Sequence, residues 1–179
     1  VWSRGVEPEW AGLLTPLKVR AEFPVPTCDL HYDFGWNNVV KAGSAVIRVR
    51  RAREYWNALA TARSSGVAGV LWRSLIRRDT LRPRFLWHEE VDRRERCQYR
   101  VEFRPESVVT ESRVQPVKGG EVKRVDTCRF EPIEDVLSAF LGVRGQRLAD
   151  GETITRVVQP WDRPYLATFT VVGREDREV

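Results

Sequence analysis

Cys97-Gln98-Tyr99-Arg100-Val101-Glu102-Phe103 is the stretch that decides the fold. Cys97, Tyr99, Val101 and Phe103 fall on one side of an extended chain and Gln98, Arg100 and Glu102 on the other, the period-two alternation of a strand with one buried face. Pro105-Glu106 predicts a turn into a second strand, Val108 to Val114, and Gly119-Gly120 a turn into a third, Val122 to Phe130. The middle of the chain therefore reads as an antiparallel meander.

The same pattern extends toward the N-terminus. Leu30-His31-Tyr32-Asp33-Phe34 alternates, Ala45-Val46-Ile47-Arg48-Val49-Arg50 is β-branched, and Asn37-Asn38 between them is a turn signal. Tyr55 to Ala62 continues the sheet, Ser64-Ser65-Gly66 and Gly69 interrupt it, and Val70-Leu71-Trp72 and Phe85-Leu86-Trp87 resume it. Residues 1–27 carry Pro8, Pro16, Pro24 and Pro26 and read as an irregular arm, with a helical turn around Trp10 to Leu14.

One helix interrupts the strands. Pro132 suits a first helical position, Glu134 and Asp135 complement the dipole of a first turn, and Val136, Leu137, Phe140 and Leu141 form an apolar stripe, with Gly142 and Gly145 as terminators. This predicts a helix over about 133–141. After Asp150-Gly151, strands at Thr153 to Val158 and Tyr165 to Val172 flank a turn at Pro160-Trp161-Asp162-Arg163-Pro164. The expected class is all-β and mainly antiparallel: a strongly curved meander sheet or open β-barrel over 28–179 with one packed helix.

Composition narrows the function. A 42% hydrophobic content is enough for one core, and no apolar run approaches the roughly 20 residues of a spanning helix. Thirty Lys and Arg against 25 Asp and Glu leave +5, but the signs are mixed, as in Glu89-Glu90-Val91-Asp92-Arg93-Arg94-Glu95-Arg96. Such mixing is the signature of a solvated face and not of a phosphate track, so no nucleic-acid partner is expected.

Several segments, in order, match a known pattern: Leu30-His31-Tyr32-Asp33-Phe34-Gly35-Trp36 followed by Lys41-Ala42-Gly43-Ser44-Ala45; Ala60-Thr61-Ala62-Arg63-Ser64-Ser65-Gly66; Thr80-Leu81-Arg82-Pro83; and Asp135-Val136-Leu137-Ser138-Ala139-Phe140 leading to Asp150-Gly151-Glu152. Together they resemble the bacterial domain-of-unknown-function 3108 family of exported cell-envelope proteins. The resemblance implies a removed signal peptide, a periplasmic or otherwise exported location, and a curved antiparallel sheet approaching an open barrel. It implies no catalytic residues. The segment after Trp72 is compressed relative to the family, and family members usually continue with further strands beyond the point corresponding to Val179. The expectation is an exposed sheet edge at the C-terminal end, completed by further strands or covered by a partner.

The chemistry-bearing residues form no catalytic set. Cys28 and His31 are three apart, which on a strand sends them to opposite faces, and no second close pair completes a zinc site. Tight turns at Pro105-Glu106 and Gly119-Gly120 oppose Cys97 to Val114 and Val114 to Val125, leaving Cys128 on the other face. A bulge at the glycines flips that register and keeps a Cys97–Cys128 disulfide open. No GxSxG or phosphate-loop pattern occurs and no cofactor is expected; Glu89-Glu90 and Glu134-Asp135 fit a solvated strand and a helix start.

Seven Trp are spread through the chain, and aromatics in a curved sheet either fill the core or line an apolar cavity. On the cavity alternative, Trp36, Trp56, Trp72 and Trp87 are the candidate lining. The leading expectation is a non-enzymatic envelope protein binding an apolar ligand, lipid or lipoprotein-like, in its sheet. A structural or protein-interaction module is the alternative. A hydrolase is the third, and it requires Ser64 or Ser65 to meet His31 or His88.

Overall fold

The computed structural model describes residues 11–16, 27–36, 40–64, 69–129 and 133–173. Eight strands follow one another as an antiparallel meander: β1 (Cys28–Trp36), β2 (Val40–Ala52), β3 (Tyr55–Ser64), β4 (Gly69–Arg77), β5 (Pro83–Val91), β6 (Glu95–Arg104), β7 (Ser107–Pro116) and β8 (Val122–Cys128). Each pairs with its neighbour in sequence, and β1 and β8 are the two edges, so the sheet does not close into a barrel. A helix, α1 (Val136–Arg144), and a hairpin of β9 (Thr153–Val158) and β10 (Tyr165–Thr170) complete the chain.

The register carries the Cys97 to Phe103 alternation across the whole sheet. Leu30, Ile47, Ala60, Trp72, His88, Tyr99, Ser112 and Arg124 are successive cross-strand partners and share one face. On this covered face α1 and β9 pack, and two clusters of buried residues form the core. One joins Val49, Ala58 and Ile76 to Leu137 and Leu141; the other joins Leu86, Val101, Phe103 and Val108 to Ile133 and Val157. A nine-residue helix does not persist alone in water. Here Leu137 and Leu141 hold it down, each contributing about 1.5–3 kcal/mol by burial.

The helix begins three residues later than the expected 133. Asp135 stays extended and caps it, its carboxylate accepting from the Leu137 and Ser138 amides, while Ser138 Oγ accepts from the Asp135 amide. Glu134 is drawn out of the helix by β9: its amide donates to the Val157 carbonyl and its carbonyl accepts from Gln159. Gly142 lies inside the helix and Gly145 caps its end.

The turn at Pro105-Glu106 pairs Arg104 with Ser107, and Cys97 faces Val114 as expected. The loop containing Gly119 is longer than a tight turn, Gly119 adopting φ +128°, and it pairs Val114 with Val122 instead of Val125. The flipped register puts Cys128 opposite Val108, on the face of Cys97 but six positions along β8 from the Cys97 row, about 20 Å away. All three cysteines are free. Of the N-terminal arm, the described part is a 3-10 turn at Ala11–Leu13 followed by Thr15, which clasps β9: the Thr15 amide donates to the Thr155 carbonyl, and the Thr155 amide to Thr15 Oγ1. The turn at Asn37-Asn38 lies outside the described residues.

Candidate functional site

The covered face holds a buried polar layer. Glu134 and Arg156 make a two-pronged ion pair, Nε to Oε2 at 2.8 Å and Nη2 to Oε1 at 2.6 Å, and Arg156 also donates to the Thr15 carbonyl. Asp135, fully buried, accepts from Ser74 Oγ in β4. Gln159 Nε2 donates to Thr110 Oγ1 in β7 at 2.6 Å. These bonds tie the helix start and β9 to the sheet where apolar packing alone would leave their position less defined.

Beside this layer His88 is 2% exposed inside an aromatic stack. Its ring lies 4.8 Å from Trp161, nearly parallel, 5.2 Å from Trp72 and 5.6 Å from Tyr99. The loop after β9 is thereby pinned to β5 through Trp161. Both imidazole nitrogens lack a hydrogen bond among the described residues, and the Glu90 carboxylate sits 3.8 Å from Nε2. Burial lowers the His88 pKa to about 4, against a weaker upward pull from Asp162. Burial raises that of Asp135 to about 6, partly offset by the hydrogen bonds from Ser74 and the helix amides.

The two shifts act oppositely on stability. As pH falls from 6.5 toward 4 the unfolded chain protonates His88 before the folded chain does, so this residue subtracts stability. Across nearly the same window, from about 6 to 3.8, the folded chain protonates Asp135 first, so the cost of its buried charge is relieved. His88→Phe removes only the first effect. Its stability relative to the parent, measured by urea unfolding, is expected to rise by about 1–2 kcal/mol between pH 7 and pH 4.5. A pH-independent difference would mean that His88 stays solvated enough to titrate normally.

The expected tryptophan lining divides between the two faces. Trp56 and Trp72 lie on the covered face, packed against the core clusters, with the Arg78 guanidinium over the Trp56 ring. Trp87 lies on the opposite, open face, paired with Arg73 and Arg100, its ring 5.5 Å from Phe85 and below the Arg73 guanidinium. Trp36 closes β1 opposite Val40, and its side chain lies outside the described residues. No single cavity is lined by Trp56, Trp72 and Trp87 together. The chain's own helix and loop occupy the covered face around the first two.

The open face carries a hollow of about 260 Å³ whose lining includes Leu71, Trp87, Glu89, Arg100, Glu111 and Arg113. It combines the apolar side chains of Leu71 and Trp87 with two guanidinium groups and two carboxylates. Period-two parity finds Trp87 only once the strand pairing is known, because Phe85-Leu86-Trp87 shows no alternation. Cys28 pairs with Val49 and His31 with Val46, which sends them to opposite faces, and His31 and His88 likewise lie on opposite faces. The Ser64 side chain and the whole of Ser65 lie outside the described residues. No family model matches the chain, nor does any curated protein or solved structure.

Proposed function

We propose that the chain is a non-enzymatic binding protein of the cell envelope, exported as its motif resemblance implies, whose sheet holds the apolar part of a lipid or lipoprotein-like ligand. The observation that carries this is Trp87, a half-buried aromatic set in a hollow of the open face, with Leu71 and Phe85 near it, Arg73, Arg100 and Arg113 around it, and Glu89 and Glu111 in the same lining. An indole beside guanidinium groups suits an apolar chain next to an anionic group. The open face is favoured over the covered one because Leu137, Leu141 and Trp161 fill the space against the covered face.

Organic extraction of the protein purified from its native envelope, followed by mass spectrometry, is expected to yield a copurified lipid. As a direct probe, anilinonaphthalene sulfonate, an apolar anion, is expected to bind about five- to tenfold more weakly to Trp87→Ala, with Val117→Ala unchanged. Equal binding by both variants, together with no extracted lipid, would overturn the ligand reading. The second reading, a structural or protein-interaction module, is favoured by one observation. Strand β8 ends the sheet with all of its residues exposed except Cys128, which is half-buried.

A further inference from the structure

Sheet edges are guarded by charged side chains, Pro, bulges or a covering element, and charges of one sign repel a copy of the same strand. The edge formed by β8 and its flanks carries charges of both signs instead. From Glu121 to Arg129 it reads Glu-Val-Lys-Arg-Val-Asp-Thr-Cys-Arg, and its charges are arranged in complementary halves about Val125. Laid antiparallel against itself with Val125 facing its own copy, Arg124 meets Asp126, Glu121 meets Arg129, Val122 meets Cys128, and Lys123 meets the neutral Thr127. Each opposed pair occurs twice by symmetry.

Neighbouring registers that keep the same faces aligned lose this match. Centring on position 124 sets Arg124 against Arg124. Centring on 126 sets Asp126 against Asp126 and Lys123 against Arg129. Opposite charges directly across a strand pair stabilise it and like charges destabilise it, so the sequence distinguishes one register from those beside it. Two apolar side chains on this edge are left open to solvent, Val122 at 60% and Val125 at 66% exposure. Val122 lies on the covered face and Val125 on the open face, in the row of Trp87, Arg100 and Glu111. Self-pairing covers the first with Cys128 and the second with its own copy.

We propose that β8 is a homodimer edge, joining two copies through antiparallel β8–β8 pairing centred on Val125 into one continuous sheet. The inference rests on the second reading above, that β8 is a docking edge, and is independent of any ligand at Trp87. Both covered faces then lie on the same side of the joined sheet, because residues of equal parity oppose one another.

Sedimentation velocity over a range of protein concentrations tests the pairing by charge exchange. The parent chain is expected to dimerise. Arg124→Asp and Asp126→Arg, each setting like charges face to face twice, are each expected to weaken the dimer about tenfold or more. Mixing the two variants is expected to restore a dimer, because every 124–126 pair between them is again of opposite sign. The double variant R124D/D126R is expected to self-associate like the parent.

A parent that stays monomeric, or a dimer indifferent to both single variants, would overturn the proposal. Failure of the mixture to associate while each variant remains folded by circular dichroism would do the same. A photo-crosslinker at position 125 that captures a different envelope protein in cells, with the purified chain monomeric, would end the self-pairing and leave the docking-edge reading standing.

Discussion

Arg156→Ala is expected to destabilise the fold by about 3–5 kcal/mol, the largest effect of any single polar substitution among the described residues. The side chains of Arg156 and Glu134 are only 7% and 5% exposed, so removing the guanidinium leaves a carboxylate in the interior with its partner gone. The loss reaches three segments, because Arg156 stands on β9, Glu134 leads into α1, and the Thr15 carbonyl of the N-terminal arm accepts from the same guanidinium. Urea unfolding measures the cost. Replacing both partners by apolar residues of similar size, Arg156→Met with Glu134→Leu, is expected to recover most of it, since neither charge then has to be buried. If Arg156→Ala costs under about 1 kcal/mol, water reaches the pair and its burial is not what fixes β9 against the helix start.

Why the sequence predicts the sheet but not this pair follows from the range of each signal. Alternation at Cys97 to Phe103 is local: seven residues in a row report one buried face, and the two-residue turn at Pro105-Glu106 transmits the register to β7. The strands Thr153 to Val158 and Tyr165 to Thr170 are legible from the turn signals beside them, Asp150-Gly151 and Pro160 to Pro164, the second ending two residues before the expected Val172. The β2–β3 turn gives no such signal. Arg53 takes φ 50° there without being Gly, Asn or Asp, and the hairpin is closed by the ladder on either side instead of by turn chemistry.

Glu134 and Arg156 lie 22 positions apart on different kinds of segment, so neither residue's neighbours hint at the other. Glu134 looks like a helix-start acid because the competing claim on it, the backbone of β9, is invisible until β9 is placed. Trp87 illustrates the remaining difficulty. The irregularity between Leu75 and Ile76 where β4 meets β5 helps set which face each β5 residue occupies, and a sequence with three apolar residues in a row at 85–87 does not reveal it.

Asp135→Ala is expected to cost about 2–4 kcal/mol, and the two reasons for that cost separate experimentally. The carboxylate caps α1 through the Leu137 and Ser138 amides, both at 2.8 Å, and it accepts from the buried Ser74 hydroxyl. Losing an N-cap costs about 1 kcal/mol, and each buried donor left unpaired about 1–3 more. Against this, burial already holds the Asp135 pKa up at about 6, so part of the carboxylate's contribution is spent on its own desolvation near neutral pH. Asp135→Asn keeps an oxygen for the helix amides and has no charge to bury. It is therefore expected to lose under about 1 kcal/mol at pH 7 and to lack the stability gain that the parent draws from Asp135 on acidification. Ser74→Ala removes one donor to the carboxylate and is expected to cost about 1–2 kcal/mol at pH 7, falling as Asp135 protonates. Hydrogen exchange at the Leu137 and Ser138 amides distinguishes the capping loss from general destabilisation: Asp135→Ala exposes those amides first, whereas Ser74→Ala leaves them bonded. An Asn variant as unstable as the Ala variant would mean that the charge, and not the cap, is what holds the helix on the sheet.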